Sequence, residues 1–405
     1  MAVVKLRFQD ALAVGLGAMV GAGLLSSPAA ATAAAQSWVG VAVVLAAALA
    51  LANAFSSARL AAAFPASGGT YEFARPTLGP DWGFAAGWLF LVGKSWAAGF
   101  VAATAGGMMA AAVPGLHGWL VAVGALILAV AANLLSIRRV GWLNLALLVP
   151  ALVGIGWLLA ASAGLVTSAP PIPAGPPDVI AIATAAGLLF FTFTGYARLA
   201  TLAGELEEPA RTLPRVIWLS IGLVALLLLG LCAVAWASSV EPEPVDGTAR
   251  LILVWSTLPT LLGVLVSQIL GMSRVVAAMG SAGDLPRFVS RTNAGGAPIW
   301  GVAIAGLGGM AGILFSGSAL AAASTLILLY YAVTHAASLR LAESPIRVPA
   351  WAAWIGLFAC VSFAAVLAWS GSWPWALAAV ALGLAIRTVR RRISTLEAND
   401  PQKID

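Results

Sequence analysis

The chain has 405 residues, of which 61% are hydrophobic and only 9% are charged, and its mean hydropathy is +0.99. Soluble domains carry about 25% charged residues, so this composition excludes a soluble globular protein and predicts an integral membrane protein embedded in a lipid bilayer. The net charge of +6 fits the basic loops of such a protein, and we expect no nucleic-acid partner.

Apolar segments long enough to cross a bilayer core of about 30 Å recur along the chain between polar segments. The first of them leads into Ser26-Ser27-Pro28 without a convincing cleavage site, and we therefore expect no cleavable signal. We predict twelve spans, at residues 10–32, 38–64, 83–113, 118–136, 140–162, 179–203, 214–239, 250–280, 298–316, 319–342, 350–370 and 373–389.

Twelve spans place both termini on one side of the membrane, and the basic residues indicate which side. Of the 21 lysines and arginines, eighteen fall on the side of the termini and only Arg250 falls on the other, while Lys94 and Arg198 lie inside spans. Because positive residues accumulate on the cytoplasmic side, we predict a cytoplasmic-membrane protein with both termini in the cytoplasm.

The first span carries four glycines within nine residues, Gly15, Gly17, Gly21 and Gly23. Glycine weakens a helix by roughly 1 kcal/mol relative to alanine, so this run favours a helix that opens within the membrane. An opened backbone is tolerated in hydrocarbon only where it lines a polar cavity or binds a ligand. The alternative is a close helix–helix contact, because glycines four residues apart also permit tight packing.

A second interruption is predicted in the sixth span, where Gly195 lies among polar and aromatic residues. Interrupted helices five spans apart indicate an inverted-repeat transporter with its site at the midplane. The chain then divides into a cytoplasmic N-terminus (1–9), a first repeat (10–164), an extracellular proline-rich loop (165–178), a second repeat (179–342), two appended helices (343–389) and a cytoplasmic basic tail (390–405).

Four motifs succeed one another between residues 15 and 291: GLGAMVGAGLLSSP, LAAAFPASGGTYEFAR, FFTFTGYARLATLAGELEEPARTLPRVI and SRVVAAMGSAGDLPRFVSR. Together they resemble the signature of the amino acid–polyamine–organocation superfamily. The resemblance implies the all-α leucine-transporter fold, with about twelve transmembrane helices, a 5+5 inverted repeat and broken helices 1 and 6. It also implies alternating access with a small amino acid or amine as substrate.

The opened helices are suited to a zwitterion. The second half of helix one would offer backbone N–H groups and a positive dipole end to a carboxylate, and opened helix six would offer carbonyls to an α-ammonium group, as is usual in relatives. Three aromatic side chains of helix six would close over the substrate as gates, or would simply pack in the bundle. The predicted substrate-binding residues are Val20, Gly21, Ala22, Gly23, Phe190, Phe191, Thr192, Phe193, Thr194, Gly195 and Tyr196.

Two basic residues lie within predicted spans. Lys94 would cost about 2.5–3.5 kcal/mol near the middle of a span, so it is a candidate for substrate contact or proton transfer, unless its long side chain snorkels to the interface. Relatives often carry an acidic residue at the position that Ala197 occupies here, and Arg198 follows it. This departure argues against polyamine substrates, although Arg198 would also pair simply with Glu205 or Glu72.

The charged loop after the sixth span predicts an inner gate built from weak ion pairs, with a solvated surface as the alternative. The candidate gate residues are Arg59, Arg75, Glu205, Glu208 and Arg287.

The sequence does not identify the coupling ion. The fifth span, Leu143 to Gly164, has no ionisable side chain, so the fixed lysine of some proton-coupled relatives is absent. A sodium site would use Ser267 and Ser273, whose hydroxyls would otherwise only pack. Proton coupling through Lys94 or Glu72, or uncoupled exchange, are the other options.

We therefore predict a secondary transporter of a small neutral amino acid, functional as a monomer and without a cofactor, with proton symport slightly favoured. An exchanger, an exporter or a permease for amines or cationic amino acids would show the same sequence features. A channel would need rings of selectivity residues in a symmetric oligomer. An enzyme would need a nucleophile with its base or a metal cluster, and two cysteines in apolar runs and two histidines supply neither.

Overall fold

A computed structural model describes residues 7–64, 66, 68–135, 137–168, 175–197, 199, 206–240, 247–314 and 319–398. Within these residues the regular structure is helical, and an isolated bridge joins Thr292 and Pro298. An all-helical fold follows from a chain whose backbone polar groups have to be satisfied within each apolar segment.

The helices are numbered in chain order. They are α1 (Phe8–Met19), α2 (Ala22–Ala35), α3 (Val39–Ala63), α4 (Thr70–Leu78), α5 (Pro80–Ala112), α6 (Gly118–Asn133), α7 (Ile137–Ala161), α8 (Ala163–Ser168), α9 (Val179–Phe193), α10 (Pro209–Val240), α11 (Gly247–Ser281), α12 (Ile299–Leu314), α13 (Ala319–Arg340), α14 (Ala350–Leu367) and α15 (Trp373–Ala398).

Seven helical stretches among the described residues are long and apolar enough to cross a membrane. They are Ser27–Ala63, Pro80–Ala112, Val179–Tyr196, Ala210–Ser238, Leu258–Ser281, Leu320–Arg340 and Ala350–Arg390. Three shorter apolar helices, Gly118–Asn133, Leu145–Ala161 and Ile299–Leu314, accompany them. A multi-pass membrane protein is thereby supported, and the division into twelve spans stays a prediction.

The first predicted span is interrupted at Val20 and Gly21. Both residues have extended backbone angles, with φ −74° and ψ 97° at Val20 and φ −173° and ψ −145° at Gly21. Helix α1 ends there, and α2 begins at the next residue, Ala22. The glycine-rich sequence opens the helix where low helix propensity predicts an opening.

The sixth predicted span also departs from one continuous helix. Helix α9 ends at Phe193, and a single 3-10 turn follows from Thr194 to Tyr196. A side chain at Gly195 would collide with the backbone of Ala18. The 3-10 turn keeps helical backbone angles, so the sixth span is not opened as the first one is. The turn meets the end of α1, and Gly195 is required there by close contact between backbones.

Three parts of the structure differ from the sequence prediction. Helix α8 extends helical structure into the loop predicted at 165–178. Helix α4 is an additional short helix, separated from α5 by Gly79, whose φ of 105° favours glycine. Helix α15 continues to Ala398, past residue 389, where the predicted last span ends and the predicted basic tail begins. At the start of these extra turns Arg390 donates to the carbonyl of Gly283 at 2.8 Å.

Candidate functional site

A cavity of about 340 Å³ lies where the interrupted segments meet α5, α11 and α13. Its apolar walls come from residues such as Phe90, Val264 and Tyr330, and polar side chains are distributed among them. The polar or charged lining residues are Lys94, Thr192, Thr194, Ser267, Gln268 and Arg274. The cavity is large enough for a small organic ligand.

The structure brings about half of the predicted substrate-binding residues to this cavity. Those that line it are Gly21, Gly23, Phe191, Thr192, Thr194 and Gly195. Val20 is buried and is not among the lining residues, and its N–H donates to the carbonyl of Leu16 at 2.7 Å. The sequence suggested that the N–H of Val20 is a free donor. In the structure this N–H instead closes the last turn of α1. The Ala22 side chain lies outside the described part of the chain.

Helix α2 is held closely against α9. The hydroxyl of Ser27 donates to the carbonyl of Gly23 and lies 3.2 Å from Oγ1 of Thr192. A side chain at Gly23 would collide with Thr192 and Phe191. The small residues of the first span thus serve tight packing as well as lining the cavity, so both interpretations of the glycine run apply.

Three aromatic residues of the sixth span pack within the bundle, which is the second of the two options that the sequence left open. Phe190, Phe193 and Tyr196 are fully buried and are not among the residues that line the cavity. Phe190 and Tyr196 pack on Tyr331, with ring centroids 5.8 and 5.3 Å apart. The aromatic side chains that line the cavity are Phe90, Phe191 and Tyr330.

Lys94 is buried in α5, with 7% of its surface exposed, and it lines the cavity. Its Nζ donates to Oγ1 of Thr194 at 3.0 Å, and Thr194 in turn donates to the carbonyl of Phe191 at 2.8 Å. The ammonium group also lies 6.0 Å from the ring centroid of Phe90. Lys94 therefore points to the interrupted helix instead of snorkelling to the interface.

The other charge and coupling candidates are dispersed. Ser267 lines the cavity, whereas Ser273 is buried outside the lining and donates to the carbonyl of Leu270 at 2.9 Å. Glu72 is half-buried beside Gly68, and burial raises its pKa although Arg75 acts to lower it. Arg198 lies outside the described residues.

Two lining residues, Gln268 and Arg274, are not among the site residues predicted from the sequence. Gln268 is buried, and its amide oxygen has no hydrogen-bond partner among the described residues. Arg274 donates from Nη1 to the carbonyl of Gly296 at 3.1 Å. An amide within an apolar span is itself a signal, because burying a polar group in hydrocarbon is costly.

An ionic cluster lies at the face that the basic residues assign to the cytoplasm. The Asp284 carboxylate, which is 6% exposed, accepts from Arg75 at 2.6 Å, from the Tyr71 hydroxyl at 2.8 Å and from Arg387. Arg387 also binds Asp81 at 3.1 Å. Burial, followed by the bond to Asp284, raises the pKa of Tyr71, which keeps its hydroxyl a donor.

The predicted gate residues make other contacts. Arg59 donates to the carbonyls of Ser338 and Leu341 at 3.1 and 2.9 Å, and Arg287 is exposed. Glu208 pairs at 3.8 Å with Arg211, three positions along the chain, and both side chains are largely exposed. Glu205 lies outside the described residues. The acidic partner of Arg75 is Asp284, which a sequence cannot reveal because the two are 209 residues apart.

Apolar helices, an opened first span, a 3-10 turn in the sixth span and a polar cavity between them are typical of a membrane transporter of small molecules. The family model described as Amino acid permease matches residues 6–381. A relative described as an uncharacterized transporter in Mycobacterium tuberculosis is 34% identical over 428 aligned positions, covering 98% of this chain and 95% of the relative. The chain therefore belongs to the amino acid permease family, which confirms the resemblance to the amino acid–polyamine–organocation superfamily.

Two relatives in Escherichia coli are more distant. The inner membrane transport protein YbaT is 26% identical over 309 aligned positions, or 70% of this chain and 71% of the relative. The low-affinity putrescine importer PlaP is 29% identical over 177 positions, or 42% of this chain and 39% of the relative. The family and the names of these relatives indicate a transporter and not an enzyme.

Proposed function

We propose that this protein is a secondary transporter that carries a small amino acid across the cytoplasmic membrane by alternating access. The observation that carries the proposal is the meeting of the opened first span, at Gly21, and the 3-10 turn of the sixth span, at Thr194, on one polar cavity. We further propose the leucine-transporter fold with twelve spans, a 5+5 inverted repeat and cytoplasmic termini, and a monomer as the functional unit.

The substrate's two charged groups would bind at the two interruptions. The N-terminal end of α2, at Gly21 and Gly23, would hold the carboxylate, because helix N-termini favour anions. The ammonium group would bind backbone carbonyl oxygens of Phe191, Thr192 and Thr194. This arrangement needs few charged side chains from the protein, in keeping with a chain in which only 9% of residues are charged.

A cationic substrate is the less favoured alternative. Lys94 and Arg274 line the cavity, and a polycation would be repelled by both. The putrescine importer among the relatives covers less than half of this chain. We therefore favour a substrate without a positive side chain, of which the small neutral amino acids predicted from the sequence are the simplest members.

The coupling ion forms a separate part of the proposal. Lys94 and Glu72 are the candidates for proton coupling, since one lies at the cavity and the other beside Gly68, which lines it. Ser267 remains the candidate ligand for sodium. Import, export and exchange use the same alternating-access geometry.

Counterflow into proteoliposomes tests the proposed function. Vesicles that contain the purified protein and an unlabelled amino acid should accumulate the labelled amino acid in a saturable way, while empty vesicles should not. Each amino acid is tested with and without sodium and with and without a proton gradient. A large, non-saturating conductance would indicate a channel, and the lack of any amino acid flux would reject the proposal.

A further inference from the structure

One face of α11 forms a wall of the cavity. Its lining residues include Val264, Ser267, Gln268 and Gly271, and spacings of three and four positions place such residues on one side of a helix. Val264 lies against Gly21, because a Cβ atom at Gly21 would overlap its Cγ2 atom. Gln268 therefore lies about one helical turn, or about 6 Å along the axis, from the point where α11 meets the start of α2.

The Gln268 side chain brings an unpaired amide to this wall. It is 7% exposed, and its enclosed Oε1 atom has no hydrogen-bond partner within the described residues. Buried polar atoms are nearly always hydrogen-bonded, and an unpaired one destabilises the state in which it occurs. A polar group on a ligand would compensate for this, because rotation of the amide about its last side-chain bond presents either a donor or an acceptor.

The position of Gln268 relative to Gly21 fits the two ends of a small amino acid. The proposed function places the α-carboxylate of the substrate at Gly21. A polar atom at the end of a short side chain is up to four bonds from the carboxylate carbon, which corresponds to about 6 Å at about 1.5 Å per bond. The neighbouring lining residues Val264 and Leu270 offer apolar side chains, so the amide distinguishes a polar substrate side chain from an apolar one.

We propose that the preferred substrate is an uncharged amino acid whose side chain carries a hydroxyl or carboxamide group, and that Gln268 selects it through a hydrogen bond. This inference rests on the proposed function and names the substrate class of the same site. The α-carboxylate binds at Gly21, and the polar group of the side chain meets the Gln268 amide one turn away along α11. An apolar side chain of the same shape leaves the amide unpaired and therefore binds more weakly.

Isosteric pairs of amino acids test the preference in the unmodified protein. Threonine differs from valine by a hydroxyl in place of a methyl group, and asparagine and leucine form a second pair of similar shape. In counterflow with labelled L-threonine, unlabelled threonine should compete at least about tenfold more effectively than valine, or, with labelled L-asparagine, asparagine should compete at least about tenfold more effectively than leucine. Failure of both pairs to show this difference would overturn the inference.

Substitution of Gln268 assigns the preference to a residue. Gln268→Met keeps an unbranched side chain of similar length without the amide, so it should reduce the preference for the polar member of the pair by at least about tenfold. Gln268→Glu retains an acceptor and should keep most of the preference. Both amino acids are measured in the same variant, so a general loss of transport cancels in the ratio.

Gln9→Met is the matched control, since it makes the same exchange at an exposed position that is not among the lining residues. It should leave the competition ratio as it is in the unmodified protein. A ratio that Gln268→Met also leaves unchanged would overturn the role of Gln268.

The failure of this inference can be distinguished from failure of the proposed function. Saturable counterflow of alanine, valine or leucine without a preference for threonine or asparagine would reject the polar substrate and retain the amino acid transporter. Lack of flux for every amino acid would reject both. If Gln268→Met does not fold, the competition ratio in the unmodified protein still decides the substrate class.

Discussion

Gly21 lies where the first membrane segment leaves helical geometry, and packing alone gives one reason for glycine there. A Cβ atom at this position would overlap Cγ2 of Val264, a residue of α11 that lines the same cavity. A leucine in place of Gly21 would therefore disturb the helix contact whether or not a ligand binds nearby. The packing role and the ligand-binding role of Gly21 can be distinguished only when Val264 is made smaller as well.

Gly21→Ala should lower the free energy of unfolding by about 1–3 kcal/mol, as overpacked sites do. The double variant Gly21→Ala/Val264→Ala should recover most of that loss in a thermal unfolding measurement. If the start of α2 binds the substrate carboxylate, the double variant should still bind substrate about tenfold more weakly than Val264→Ala, because the methyl group blocks close approach. Equal affinity in these two variants would leave packing as the whole reason for Gly21.

Glu72 gives stability a pH dependence whose sign follows from its raised pKa. Burial makes the folded protein hold the Glu72 proton more tightly than the unfolded chain, where the ordinary pKa of 4.5 applies. Below that value both states are protonated and the residue has no effect. As the pH rises above it, the unfolded chain releases the proton first, so the folded state loses stability until the folded pKa is passed.

Glu72→Gln stays neutral at every pH, so its Tm should rise relative to the unmodified protein as the pH increases from about 4 to about 7. Thermal unfolding in detergent at each pH measures this difference. Glu208→Gln removes a largely exposed carboxylate and serves as the control for a simple change in charge. A Tm difference for Glu72→Gln that is constant with pH would contradict the expected shift.

At the scale of elements, Asp284 joins segments that are distant in sequence. Its carboxylate binds Arg75 and Tyr71 from α4 and Arg387 from α15, while Arg387 also binds Asp81 at the start of α5. The Asp284 side chain is 6% exposed, and those of Arg75 and Arg387 are 26% and 16% exposed. Removing one partner from such a buried cluster leaves positive charge poorly compensated.

Asp284→Asn should lower the free energy of unfolding by about 3–5 kcal/mol and should loosen α4 and α15. Arg211→Gln breaks a pair of which both side chains are largely exposed and should cost at most about 1 kcal/mol. Thermal unfolding compares the two, and hydrogen exchange locates the loss of order in the helices. Equal, small effects of both substitutions would show that the cluster contributes little.

Sequence patterns predicted the opening of the first span better than the contacts between elements. The glycine run predicted the opening at Gly21, because that signal is local. The polar residues around Gly195 predicted an opened sixth helix, whereas the structure has a 3-10 turn with helical backbone angles there. The contact of Lys94 with Thr194 spans 100 residues, and that of Asp284 with Arg387 spans 103. Such pairs depend on how helices pack, and local propensity carries no information about their distance.

For the whole molecule, the proposed function requires that a chain with few charges bind a charged ligand. In that proposal the opened backbone at Gly21 would supply hydrogen-bonding groups, and Lys94 and Arg274 line the same cavity. The cavity lining also includes Gly68, Gly69, Gly295 and Gly296, which belong to segments that the basic residues assign to the cytoplasm. Access from that side is therefore the arrangement expected of this conformation.

Cysteine labelling tests both the orientation and the access. Gly295 is exposed and lines the cavity, and Val179, at the start of α9, is 75% exposed on the predicted opposite side. The native Cys232 and Cys360 are both buried, so they give a low background. A membrane-impermeant maleimide should label Gly295→Cys in inside-out vesicles only and Val179→Cys in right-side-out vesicles only. Labelling of both positions from one side would refute the topology.

The same variant reports on the conformational change. Saturating substrate should alter the labelling rate of Gly295→Cys by at least about twofold, because a transported ligand shifts the population of inward-facing protein. Val179→Cys is the matched control, since it lies outside the residues that line the cavity. A rate at Gly295→Cys that substrate leaves unchanged would contradict alternating access at this cavity, because the cavity would then stay equally open to the cytoplasm whether it is empty or occupied.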